Sequence, residues 1–137
     1  MQGLQFETAK DLFYSENYNK AISALTRFKD QYQSSVLLPE ANYLLGESYN
    51  ALGNKSEALR YYQEIVLGNQ LEFFVFVAMR SATIYTELSR YDEAIQNYLQ
   101  VTTATRDPKE LVLAYEGLMK GYFEKRNYSK TQEFANK

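Results

Sequence analysis

A small side chain returns along this chain at a nearly fixed interval: Ala21, Ala58, Ala94 and Thr131 are 37, 36 and 37 residues apart. Four places further on stand Leu25, Tyr62, Tyr98 and Ala135. A second series keeps step with the first, Leu12, Tyr49, Tyr85 and Tyr122. A third, Ala9, Gly46 and Ala82, breaks at Met119. Recurrence at this period limits the fold severely. Each copy must be one supersecondary unit, and neighbouring copies must stack to bury a common core.

The best-formed copy runs from Pro39 to Val66 and reads as two amphipathic helices closed by a turn at Gly53-Asn54. Leu45, Gly46 and Tyr49 share one face of the first helix. Ala58, Tyr62 and Ile65 fall at the i, i+4, i+7 spacing of a buried stripe on the second. Gly46 and Ala58 are small enough for helix backbones to cross closely, and the Leu, Tyr and Ile side chains fill the remaining space. Asn17, Asn54 and Asn127 precede three second helices, where their side chains can accept from unpaired N–H groups. Glu57, three residues after Asn54, completes a capping box. Arg90 replaces the Asn in the third copy, although Glu93 keeps its place. First helices have starts of their own: Asn69 with Glu72, and Asp107-Pro108-Lys109-Glu110 with cap, Pro and Glu in order. Pro39 is tolerated only in a first turn, so the second copy begins near Ser35.

These signals predict helices over roughly 4–16, 19–33, 36–52, 55–68, 70–88, 91–105, 108–125 and 128–136. One hairpin cannot cover both its faces, whereas stacked hairpins can. The expected fold is therefore all-α, an α-α superhelix or solenoid of about eight antiparallel helices in four hairpins. It forms a single array over 1–137, with units near 4–33, 36–68, 70–105 and 108–137 and a concave side lined mainly by first helices. The short last helix, with Tyr128, Phe134 and Ala135 lacking a following polar cap, and the Met1-Gln2-Gly3 start suggest a piece of a longer repeat protein.

Leu45-Gly46, Tyr49, Ala58 and Tyr62, in that order and spacing, resemble the tetratricopeptide repeat. Asn42 stands where that signature has Trp, and Gln70 where it closes on Pro. The units here are 36 or 37 residues, against about 34 in the usual repeat. The extra residues fall before first helices, in QSSVLLPEA, GNQLEFFVFVA and TRDPKELVLA. This lengthened form is similar to bacterial envelope members of the family, of the Tol–Pal and outer-membrane barrel-assembly type. The resemblance implies a protein-binding scaffold with no catalytic residue, and a periplasmic or outer-membrane-associated setting.

Composition narrows the chemistry. The net charge of -2 gives no electrostatic reason to expect a nucleic-acid partner. The chain has no Cys and no His, which removes thiol chemistry and thiolate or imidazole metal ligands. No apolar run reaches the length of a membrane span. Neither cofactor nor metal is expected, and Glu40, Glu47, Glu87, Glu116 and Glu124 are read as solvated helix-surface carboxylates.

Register assigns the concave face. Phe6, Lys10, Phe13 and Tyr14 point there from the first unit, and Glu40, Tyr43, Glu47 and Asn50 from the second. Phe76, Met79, Thr83 and Thr86 follow from the third, and Leu113, Glu116, Lys120 and Phe123 from the fourth. The residues expected to bind a protein or peptide partner are Phe13, Tyr14, Tyr43, Asn50, Met79, Thr86, Lys120 and Phe123. For Phe6, Phe76 and Leu113 the alternative is that they merely pack between adjacent hairpins. The run Leu71–Met79 is the most apolar stretch and is read as a buried helix, or else as a sticky patch for a partner or a second copy. Of the first-helix positions that some family members use to grip a C-terminal carboxylate, only Arg80 matches. Thr102–Thr105 is expected as a frayed helix end, and Lys125, Arg126 and Lys130 as a small basic spot. The alternative to a scaffold is a structural spacer or self-association module, pairing through the array ends or residues 71–79.

Overall fold

The computed structural model describes residues 2–68 and 71–136. Among these the chain is helical throughout: α1 (Gln2–Tyr14), α2 (Tyr18–Gln31), α3 (Leu38–Ala51), α4 (Lys55–Gly68), α5 (Leu71–Glu87), α6 (Tyr91–Ala104), α7 (Pro108–Glu124) and α8 (Tyr128–Ala135). Every boundary falls within about two residues of its predicted position, the usual scatter of helix ends. The chain divides into two compact units, Met1–Gln70 with α1 to α4 and Leu71–Lys137 with α5 to α8. In each, every helix packs on the next, and the two first helices also meet, α1 with α3 and α5 with α7.

The hairpin turns share one backbone solution. Glu16, Gly53, Ser89 and Arg126 are left-handed, with φ of 62, 85, 60 and 62°, and they recur at the repeat period. Around each, the next N–H reaches back five residues: Asn17 to Leu12, Asn54 to Tyr49, Arg90 to Tyr85 and Asn127 to Tyr122, at 2.7–2.9 Å. This is the Schellman ending, which pairs carbonyls left open at a helix C-terminus. It also explains why the capping box at Asn54 is only half formed. Asn54 Oδ1 accepts from Glu57 N at 3.3 Å, but the Asn54 N–H is already committed to Tyr49. Glu57 turns instead to Arg60, 2.9 Å away. Asn127 caps α8 in the same way, whereas the Asn17 side chain makes no cap bond. The proposed Asn69 cap lies outside the described residues.

Small residues sit where the repeat requires them. Ala9, Ala21, Ala58, Ala82 and Ala94 are wholly buried. Gly46 is not a bare helix crossing, because the Tyr62 ring lies across it and a Cβ there would stand 2.5 Å from the ring. Tyr62 is itself wholly buried, and its hydroxyl donates to Glu47 Oε1 at 2.6 Å.

The fourth hairpin departs from the pattern. Met119 and Thr131 are only half-buried, and the close approach moves to Gly117 and Gly121. These two receive Tyr98 and Ile95 of the preceding α6. Ala135 has no ring to offer α7. The aromatic is displaced by one residue to Phe134, which stacks on Tyr115 and Tyr122 at 5.9 and 5.8 Å.

Candidate functional site

A groove of about 330 Å³ opens between the two first helices of the second unit. Val75, Phe76, Met79, Arg80 and Thr83 of α5 form one wall, Glu110 and Leu113 of α7 the other. Phe76 is 48% and Leu113 53% exposed, so both present apolar surface to solvent. The Arg80 guanidinium lies over the Phe76 ring, 5.1 Å from its centroid, and brings positive charge to an otherwise apolar wall. Thr83 Oγ1 donates to the Met79 carbonyl at 2.9 Å, so its proton is committed within α5.

Glu110 is positioned by the start of α7. Asp107 Oδ1 accepts from Lys109 N at 2.9 Å, and Asp107 N donates to Thr105 Oγ1 at 3.1 Å. Glu110 therefore does not reach back to the cap, and its carboxylate accepts from the Thr105 hydroxyl. This network corrects the reading of Thr102–Thr105 as a frayed end. Thr102 and Thr103 lie within α6 and bond the Leu99 and Gln100 carbonyls at 2.7 and 2.9 Å, and Thr105 ties α6 to α7.

The same register in the first unit is built differently. Lys10 and Glu40 stand where Thr83 and Leu113 stand, and they pair across α1 and α3 at 3.3 Å. The hydrogen bond that the Lys10 ammonium donates to Glu40 is the main reason it titrates above its ordinary value. Phe6, in register with Met79, is 2% exposed and packs on Phe28 at 5.2 Å.

The residues expected to bind a partner differ in their settings within each unit. Met79 lines the groove. Thr86 Oγ1 is turned back to the Ala82 carbonyl at 2.9 Å. Lys120 and Phe123 are exposed on α7 outside the groove. In the first unit Phe13 and Tyr43 are half-buried against the core, with Phe13 edge-on to Tyr14 and Tyr18 at 5.1 and 5.8 Å. Tyr14 is exposed, and Asn50 is half-buried with a buried Oδ1 that has no hydrogen-bond partner.

Of the three first-helix residues with packing between hairpins as an alternative, Phe6 is buried, whereas Phe76 and Leu113 line the groove. What register could not show was that Leu113 faces a neighbour too short, at Thr83, to cover it. In the 71–79 run, Phe74, Val77 and Ala78 are buried and Phe76 is exposed; the side chains of residues 71–73 lie outside the described set. The basic spot is largely neutralised, since Lys125 pairs with Asp92 and Lys130 with Glu133. Among the described residues, no group of three or more acidic side chains could hold a metal ion, and no helix is long and apolar enough to cross a membrane.

Two stretches match the tetratricopeptide-repeat family, residues 40–67 and 77–108. No curated protein matches the chain. It is similar to a solved structure described as MamA protein, at 18% identity and a TM-score of 0.77, covering 98% of this chain and 69% of that one. A second MamA structure matches at 19% identity and a TM-score of 0.76, over 97% and 73%. At such identity the likeness concerns the fold, which is all-α and of the α-α superhelix class.

Proposed function

We propose that this chain, a protein built of tetratricopeptide repeats, is a non-catalytic protein-interaction scaffold. In this reading the first-helix side, the inner face of the array, takes a partner segment through the α5–α7 groove. The observation that carries it is the pair Phe76 and Leu113, each about half exposed and lining, with Met79, one groove between two first helices. A groove of this size accepts one large apolar side chain, and Arg80 over Phe76 and Glu110 at the rim supply charges that would orient the backbone bearing it. An envelope setting belongs to the proposal through the repeat length alone, and fractionation of the source cells tests it.

Panning a random peptide library against the intact chain tests the groove. Enriched peptides should carry a large apolar residue and lose about ten-fold or more in affinity on Leu113→Glu, in line with loss of a buried anchor. Unchanged binding would refute the assignment. Because Leu113 is more than half exposed, the variant should keep its melting behaviour. The same apolar groups would also serve a second copy. Sedimentation velocity separates the two: a monomer at all concentrations favours a foreign partner, and concentration-dependent dimers favour self-association.

A further inference from the structure

In the first unit the place that matches the α5–α7 groove is already filled. The Lys10 ammonium stands 5.7 Å from the centroid of the Phe6 ring and 3.3 Å from Glu40 Oε2 on the facing helix. An aliphatic stem ending in a cation thus bridges α1 and α3 beside an apolar ring. Leu37, three residues before Glu40, is half-buried against the core. The molecule therefore holds its own example of what fits between two first helices.

In the second unit each member of that set is changed. Met79 stands for Phe6, and Thr83, too short to cross, stands for Lys10. On the facing helix the apolar and acidic positions are exchanged, with Glu110 for Leu37 and Leu113 for Glu40. A carboxylate therefore still lines the space, but this register of α5 no longer sends it the cation that Lys10 supplies. Among the described residues Glu110 has no ion pair, and its carboxylate accepts from the neutral Thr105 hydroxyl. Arg80 on the opposite wall has partners of its own, the Phe76 ring among them. Both walls belong to one unit, so the groove exists whichever hairpin precedes or follows it. We infer, resting on the groove reading above, that the partner segment carries a lysine or arginine beside its large apolar anchor, with the cation received by Glu110.

The test uses the whole chain and three peptide libraries. All share a fixed leucine and differ only in the residue beside it, lysine, norleucine or glutamate, with the flanking positions random. The chain should retain the lysine library about two- to five-fold better than the norleucine one, the range of an exposed ion pair, and the glutamate library least. The preference should shrink at high salt. In a Glu110→Gln chain the lysine and norleucine libraries should be retained equally. Thr105 can donate to a glutamine as well, so this variant keeps the tie between α6 and α7 and should melt with the parent. Glu116→Gln, on α7 but outside the groove, should leave the preference intact. Equal retention of lysine and norleucine by the parent, strongest retention of glutamate, or a preference that survives Glu110→Gln would overturn the inference. Retention that depends on Leu113 but not on the neighbouring charge refutes this inference alone. Retention indifferent to Leu113→Glu, or no retention of any library, refutes the groove reading with it.

Discussion

Replacing Gly46 by Ala sets two effects of known sign against each other. In an ordinary helix interior the change stabilises by about 1 kcal/mol, because glycine loses more backbone freedom on folding. Here the new methyl would meet Tyr62 ring atoms at 2.5, 2.7 and 3.0 Å, where carbon atoms normally rest about 3.5–4.0 Å apart. The ring would have to retreat by about 1 Å, but it is wholly buried and tethered through its hydroxyl to Glu47 at 2.6 Å. Overpacking of this kind costs about 1–3 kcal/mol. Strain should therefore win by about 1 kcal/mol, lowering the urea midpoint by about 0.5 M at a slope near 2 kcal/mol/M. Far-UV circular dichroism in urea measures it. In a Tyr62→Leu background the obstacle is gone, and Gly46→Ala should become stabilising. An equal effect in both backgrounds, or a gain in the parent, would refute the claim that the Tyr62 ring dictates glycine at this position.

Two further outcomes follow from local geometry. Asn54→Ala should cost about 0.5–2 kcal/mol, as removal of a working helix cap does. Asn17→Ala, at the same place one repeat earlier but without a side-chain cap bond, should stay within about 0.5 kcal/mol of the parent in the same melts. The carboxyl of Glu93 is held below its ordinary value chiefly by its hydrogen bond from Arg90. A depressed pKa means stabilisation that is present above the unfolded value and lost as pH falls through the folded one. Glu93→Gln should accordingly be less stable than the parent at pH 7, with the gap closing in acid; a gap that persists there contradicts the pairing.

The helices and their order were legible because two periodicities coincide: the 3.6-residue stripe within each helix and the recurrence of alanine between hairpins. The fourth hairpin was harder to read, since Gly117 and Gly121 serve α6 rather than α8, and only a partner in space shows which helix a glycine serves. The groove was half legible. Register put Phe76, Met79 and Leu113 on one side of their helices, but exposure depends on the size of what stands opposite. Lys10 and Glu40 close that position in the first unit, whereas Thr83 leaves Leu113 open in the second. Thr86 illustrates a further blind spot, because a threonine that bonds its own helix looks in sequence like one that offers its hydroxyl.

The left-handed residue at each hairpin turn bears on how such a chain can change over time. Three of the four such positions hold Glu16, Ser89 and Arg126, which sit in that conformation at a cost of about 1–2 kcal/mol each, relieved only at Gly53. The carbonyls around them are paired through the backbone, so the bend does not depend on which side chain occupies it. Each of the three is thus a reserve: a glycine there would strengthen its hairpin without altering the groove walls. A lineage holding such reserves could tolerate a destabilising substitution in a binding surface and recover the loss at a site remote from it.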